Sequence, residues 1–202
     1  MREDARITAG RKILTRPDHR WRIPMKTETL MWLLPIVFML HDFEEIIMVQ
    51  AWVEHNAGQL QTRFPQLAAR LLPHLEKLST SSFALAVAEE FVLLSAVTYV
   101  TVELELYSVW AGILVGFFIH LIAHIAQFAI YQRYIPAIFT SVLSSIYCLG
   151  ALYYLSGRNY LIWTEVFLWT FVALIVIVTN VILAHKLAAW FEQYLKEKFV
   201  KL

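Results

Sequence analysis

Five apolar segments, each long enough to cross a lipid bilayer, constrain the fold of this 202-residue chain more than any other feature. Hydrophobic residues make up 59% of the sequence, a share outside the range of ordinary soluble domains. The pattern predicts an all-α protein, a five-span transmembrane helical bundle. The predicted spans are approximately residues 30–53, 83–102, 107–131, 137–155 and 161–183.

The two ends of the chain differ from this apolar middle. Residues 1–28 carry eight Lys or Arg against four acids, which predicts a basic, flexible N-terminal extension on the cytoplasmic side, in contact with lipid head groups. Residues 29–185 are predicted to form the transmembrane bundle. Residues 186–202 mix aromatic and leucine side chains with lysines, a pattern typical of an amphipathic interfacial helix.

The longest polar connection joins the first two predicted spans. Residues 54–82 alternate basic and apolar side chains, which predicts one or two short amphipathic helices on the membrane surface, broken at Pro65 and Pro73. The Ser and Thr residues at 79–82 are suited to cap the helix that follows.

The first span carries ionisable side chains, which are costly inside a bilayer. His41, Glu44 and Glu45 stand at i, i+3 and i+4, so a helix places them on one face. A charged side chain at the centre of a membrane costs about 3 kcal/mol or more, unless it is paired, neutralised or bound to a metal. These residues are therefore candidates for a functional site.

Two further spans carry groups of the same kind at the same depth. The second span contains Glu89 and Glu90, and the third contains His120 and His124 at i, i+4. With a rise of about 1.5 Å per residue, all three sets lie about 9–12 Å from one membrane surface. We therefore expect the three sets to meet in one layer.

A divalent metal ion would compensate the charge of these carboxylates, because His and carboxylate ligands together suit zinc, iron or manganese. Two His at i, i+4 can bind one ion, and Glu and His converging inside a bundle are typical of di-metal sites. One or two ions, zinc or iron, are expected. The predicted ligands are His41, Glu44, Glu45, Glu89, His120 and His124.

Two glutamates, Glu45 and Glu90, are the predicted catalytic residues. A glutamate that does not bind the metal would act as general base on metal-bound water, whose pKa the ion lowers towards about 7. Asp42 is expected to point away from the face of His41 and Glu45, and to cap or pair with a basic group.

The predicted function is a membrane metalloenzyme that hydrolyses a lipid-like or amphiphilic substrate. A di-iron oxidoreductase that hydroxylates or desaturates a chain is an alternative of the same class. A proton-coupled transporter that uses the carboxylates as a relay is an alternative of another class, although no inverted repeat supports it. A structural or assembly factor is the third. Membrane lipids and the substrate are the expected partners, nucleic acid is not, and homo-oligomerisation is left open.

At His41-Asp42-Phe43-Glu44-Glu45 the sequence resembles the HXXEE-domain membrane proteins, a bacterial and archaeal family. The resemblance extends through Ala88-Glu89-Glu90-Phe91, His120-Leu121-Ile122-Ala123-His124 and Tyr134-Ile135-Pro136, and covers most of residues 25–183. The family has no assigned activity. The resemblance therefore implies which residues matter and a place in the bacterial cell membrane, and it implies no substrate.

Overall fold

The computed structural model describes residues 25–75 and 79–199, and every regular element in these ranges is an α-helix. The all-α prediction is therefore confirmed for the described chain. The helices are α1 (Thr27–Arg63), α2 (Pro65–Leu75), α3 (Thr80–Glu103), α4 (Tyr107–Tyr131), α5 (Ile138–Gly157) and α6 (Trp163–Phe199). Most of the predicted N-terminal extension, residues 1–24, lies outside the described residues, as do residues 200–202.

Four of these helices, α3 to α6, are long and apolar enough to cross a membrane. Their positions match the second to fifth predicted spans, and they are consistent with an integral membrane protein. The first predicted span lies inside α1, which is not among the four. Asp42, Glu44 and Glu45 interrupt its apolar stretch.

The connection between the first two predicted spans is more helical than the sequence indicated. α1 continues through residue 63, well into the predicted surface segment. Pro65 begins α2, where its missing N–H is not needed, but Pro73 lies inside α2 and does not end it. Ser79 caps α3 as predicted, because its side chain accepts a hydrogen bond from the backbone N–H of Ser82.

The predicted boundary between the bundle and a separate C-terminal helix falls inside α6. α6 runs without a break from Trp163 to Phe199 and so passes residue 185. Neither Gly nor Pro occurs in this helix, so no residue there favours a stop. The change from apolar to amphipathic composition therefore marks no break in the backbone.

The main core lies around α4, which packs against α5 and α6. Trp110, Leu114 and Leu121 of α4 are fully buried, and side chains of α1 and α5 complete the cluster. α1 in turn packs against α3 and α5. This arrangement brings the polar segment of α1 close to the second half of α4.

A glycine of α4 allows the close approach of α6, as the small-xxx-small pair Gly112 and Gly116 predicts. A Cβ atom on Gly112 would lie 2.6 Å from Cβ of Trp169 and 2.8 Å from the backbone N of Thr170. Gly116 is less crowded, because its Cβ would meet the end of the Ile177 side chain at 3.1 Å.

The substitution Gly112→Ala is expected to lower the free energy of unfolding by about 1–3 kcal/mol, since the backbone of α6 must move to admit the methyl group. Gly150→Ala is the matched control, because a Cβ there meets no atom within 4 Å. The control is expected to be neutral or slightly stabilising. Unfolding of both variants in detergent micelles measures the difference, and equal stabilities would contradict the close helix contact.

Candidate metal centre

Four side chains from two helices converge between α1 and α4, with His41 buried and His120 partly open to the outside of the chain. α1 contributes His41 and Glu45, and α4 contributes His120 and His124, each pair at i, i+4 on its helix. One potential ligand atom from each residue lies within 4.8 Å of all the others. We call these four residues the His/Glu cluster.

The contacts within the His/Glu cluster are short and involve the same ring nitrogen of each histidine. Nε2 of His120 lies 3.2 Å from Nε2 of His41 and 3.1 Å from Nε2 of His124. Nε2 of His124 lies 3.0 Å from Oε1 of Glu45. The cluster therefore consists of three nitrogens and one oxygen directed at a common point.

Protons cannot satisfy all three of these contacts. A ring nitrogen carries either one hydrogen or one lone pair, so it makes one good hydrogen bond. Nε2 of His124 can make its hydrogen bond to Glu45 or to His120. Nε2 of His120 can likewise make its hydrogen bond to His41 or to His124. At most two of the three contacts can then be good hydrogen bonds, and the contact between His120 and His124 is left without one of its own. A cation at the centre removes the conflict, because all four atoms can offer it a lone pair.

Three of the six separations among the four atoms fit a metal ion directly, and the other three lie within 4.8 Å, which binding of an ion would shorten. Zinc binds nitrogen and oxygen at about 2.0–2.1 Å with tetrahedral geometry, which separates neighbouring ligand atoms by roughly 3.3 Å. The three observed separations, from 3.0 to 3.2 Å, are close to this value. A donor set of three imidazoles and one carboxylate suits zinc or iron.

A threonine of α5 orients His41. Oγ1 of Thr140 donates to Oε2 of Glu44 at 2.6 Å and lies 3.3 Å from Nδ1 of His41. With its hydrogen directed at Glu44, this hydroxyl accepts from the Nδ1–H of His41. The proton is therefore on Nδ1, and the lone pair of Nε2 points into the cluster, an arrangement typical of metal-binding histidines.

Glu44 supports the cluster from outside rather than joining it. Its carboxylate accepts hydrogen bonds from the backbone N–H of Thr140 at 2.9 Å and from the hydroxyl of Tyr134 at 3.0 Å. Burial, followed by the hydrogen bond to this carboxylate, raises the pKa of Tyr134 to about 12, so the phenol remains a donor at neutral pH. The structure thus places Glu44 away from the predicted ligand position.

The two acids of α3 have different surroundings. Oε2 of Glu89 accepts a hydrogen bond from the side chain of Asn180 on α6 at 3.0 Å, so this predicted ligand is directed away from the His/Glu cluster. Glu90 lines a cavity that borders the cluster. Of the six predicted ligands, the structure brings together four and places Glu44 and Glu89 elsewhere.

The cavity has a volume of about 400 Å³ and lies between α1, α3, α4 and α6. Glu45 and His120 belong to its wall, so one side of the His/Glu cluster faces the cavity. Asp42 also lines it, although only 4% of this residue is exposed. Its Oδ2 atom has no hydrogen-bond partner among the described residues.

The sequence did not predict a role in the site for three residues that lie near it. Asp42 was expected to cap or pair with a basic group, whereas it lies on the cavity wall with an unpartnered oxygen. Its i, i+3 spacing to Glu45 is the signal that points to a shared wall. Tyr134 lies in a segment that resembles the family, but no sequence pattern marks Thr140.

The fold and the site define a helical protein with four helices able to cross a membrane and a partly buried His/Glu cluster. The chain belongs to the family described as proteins of unknown function with an HXXEE motif, whose model matches residues 32–154, more than half of the chain. The matched region includes all four residues of the cluster, together with Glu44 and Glu90. Comparisons with curated proteins and with solved structures find no match to either.

Proposed function

We propose that the protein is a five-span membrane metalloenzyme and that α1 is the additional span. Support comes from the side chains of α1, which are arranged as in a lipid-exposed helix. His41 and Asp42 are buried in the bundle, whereas Leu40, Phe43 and Ile47 on the same turns are about half exposed or more. At about 1.5 Å per residue, the 37 residues of α1 are also longer than the roughly 30 Å that a span requires.

The C-terminal part of α6 extends, in this proposal, beyond the apolar core to the membrane surface. α6 also has 37 residues, and its last turns carry Lys196 and Lys198. The side chains of Ser79 and Ser82, at the start of α3, donate hydrogen bonds to Glu192. These contacts hold the end of α6 beside the polar connection that precedes α3.

The metal site of this enzyme is the His/Glu cluster, with one ion bound by His41, Glu45, His120 and His124. The single observation that carries the proposal is the convergence of three Nε2 atoms and one carboxylate oxygen, whose three short contacts cannot all be good hydrogen bonds. Zinc and iron both suit this donor set. Because Glu45 and His120 border the cavity, an ion held by the cluster would lie next to water or substrate in the cavity.

The proposed reaction is hydrolysis of an ester or amide bond in an amphiphile that enters the cavity. A bound ion polarises a carbonyl group and lowers the pKa of water. Glu90 lines the cavity but is outside the cluster, so it is available as general base. It takes a proton from water as oxygen bonds to the acyl carbon, and it delivers that proton to the leaving oxygen or nitrogen when the old bond breaks.

A di-iron oxidoreductase receives less support from the same geometry. Carboxylate-bridged metal pairs use glutamates from several helices of a bundle. In this chain Glu44 is bonded to Thr140 and Tyr134, and Glu89 is bonded to Asn180. Only Glu45 contributes a carboxylate to the His/Glu cluster.

The proposed reaction is tested with protein in lipid nanodiscs, loaded with zinc or iron and supplied with single-chain ester and amide lipids in heavy-oxygen water. Hydrolysis is expected to place one heavy oxygen atom in the released carboxylate. Failure of the metal-loaded protein to cleave any of these substrates, or products that form only with dioxygen, would count against a hydrolase. Omission of the metal is the matched control.

A further inference from the structure

The cavity beside the His/Glu cluster is elongated along the helix axes. On α6 its wall extends from Trp169 to His185, a rise of about 24 Å. On α4 it extends from Val109 to His120, about 16 Å. The cavity therefore runs through much of the depth of a bilayer, whose hydrocarbon core is about 30 Å thick.

The polarity of this cavity changes along its length. The acids of the wall, Asp42, Glu45 and Glu90, lie at the same end as His120. Towards the other end the wall consists of apolar side chains, including Val109 and Trp169. A narrow apolar space with polar groups at one end has the shape and polarity of a single-chain amphiphile.

The charge at the polar end selects among possible head groups. Asp42 is 4% exposed, and its Oδ2 atom lacks a hydrogen-bond partner among the described residues. A buried carboxylate in this state is costly unless a donor or a positive charge joins it. Among the described residues that line the cavity there is no Lys or Arg, so its possible cations are the two histidines of the wall, His120 and His185. The three acids of the wall outnumber them, and a phosphate or carboxylate head would therefore face an excess of groups of its own sign.

We infer that the cavity binds one hydrocarbon chain of a lipid whose amine head group contacts Asp42. An ammonium group has three donors and a positive charge, which this carboxylate can accept. The inference rests on the proposed function, because a bound metal ion is taken to compensate Glu45 and Glu90 is taken to act as the general base. It adds to that function the class of substrate, an ester or amide lipid with a single chain and an amine head group rather than an anionic one.

The test measures equilibrium binding of hexadecylamine and of palmitate to the full-length, metal-loaded protein in uncharged nanodiscs. The amine is expected to bind about tenfold more tightly than the acid, a difference of about 1.4 kcal/mol. The substitution Asp42→Asn, which keeps the size of the side chain, is expected to remove this preference. Equal binding of the two lipids by the native protein, or an unchanged preference in the variant, would overturn the inference.

A second pair of variants tests the chain-binding part of the cavity. Ile113→Trp introduces a large side chain on the apolar wall and is expected to reduce binding of the amine at least as much as Asp42→Asn. Ile122→Trp is the matched control on the same helix, because Ile122 is 45% exposed and does not belong to the wall. If both variants bind the amine like the native protein, the chain does not occupy this cavity.

The outcomes for the amine site and for the hydrolase are separable. Binding is measured without turnover. A protein that prefers the amine but cleaves no ester or amide would support the lipid site and contradict the proposed hydrolysis. A protein that cleaves these substrates but does not prefer the amine would support the hydrolysis and contradict the lipid site. The native protein could instead bind a second equivalent of metal that the variant Asp42→Asn loses, and show no preference for the amine. Asp42 would then bind a second ion rather than an amine head group, and the inference would be overturned.

Discussion

Replacing His120 and His124 together by alanine is expected to reduce bound metal from about one ion per chain to background. The change removes two of the four converging atoms and leaves His41 and Glu45, which lie on a single helix. Two ligands on one helix fall short of the three or four protein ligands that zinc takes in proteins. Elemental analysis of the purified protein, after exposure to zinc or iron and removal of excess ion, measures the loss.

The matched control for this substitution is His55→Ala. His55 lies on α1 but is exposed and does not belong to the His/Glu cluster, so the variant is expected to retain about one ion. Circular dichroism shows whether each variant remains helical. A native protein without stoichiometric metal would contradict the metal site and favour a purely structural polar network. A double variant that still binds one ion would also contradict the metal site.

The four polar residues of the HXXEE motif have three different environments in the structure. His41 and Glu45 point into the His/Glu cluster. Glu44 binds Thr140 and Tyr134, and through the threonine it fixes the proton of His41. Asp42 lies on the cavity wall. In the proposed site, this one stretch of helix would thus supply two ligands, a support that orients one of them, and a charged group for a bound molecule.

The sequence was sufficient to predict the helices and the depth of the polar groups. Apolar length predicts where a span lies, and the rise per residue places Glu45, His120 and His124 near one level. The structure confirms that side chains from α1 and α4 meet. These features depend on distance along a helix, which the residue numbers give directly.

The direction in which each side chain points around its helix was harder to predict. Adjacent residues such as Glu44 and Glu45 differ by about 100° around the axis, and either could face the centre of a bundle. Which one does so depends on the neighbouring helix. Thr140 of α5 meets Glu44, and Asn180 of α6 meets Glu89, so both predicted ligands have other partners. Spacing within one helix carries no information about these contacts.

Replacing Glu90 by glutamine is expected to lower the rate of hydrolysis by about 100- to 10,000-fold, the usual contribution of a general base. Glutamine keeps the size of the side chain but cannot take a proton from water. Because Glu90 lies on the cavity wall and outside the His/Glu cluster, the variant should still contain about one metal ion. The rate constant kcat, measured at matched metal content on the ester or amide lipid that the native protein cleaves, gives the effect.

The neighbouring substitution Glu89→Gln provides the control, since Glu89 is bonded to Asn180 and a glutamine oxygen can accept the same hydrogen bond. It is expected to leave kcat within about threefold of the native value, a change of under 1 kcal/mol in the barrier. The pH dependence adds a second readout: loss of the base should remove the acidic limb of the kcat profile, which a packing defect would leave in place. Equal losses in both variants, or an unaltered acidic limb in Glu90→Gln, would exclude Glu90 as the base.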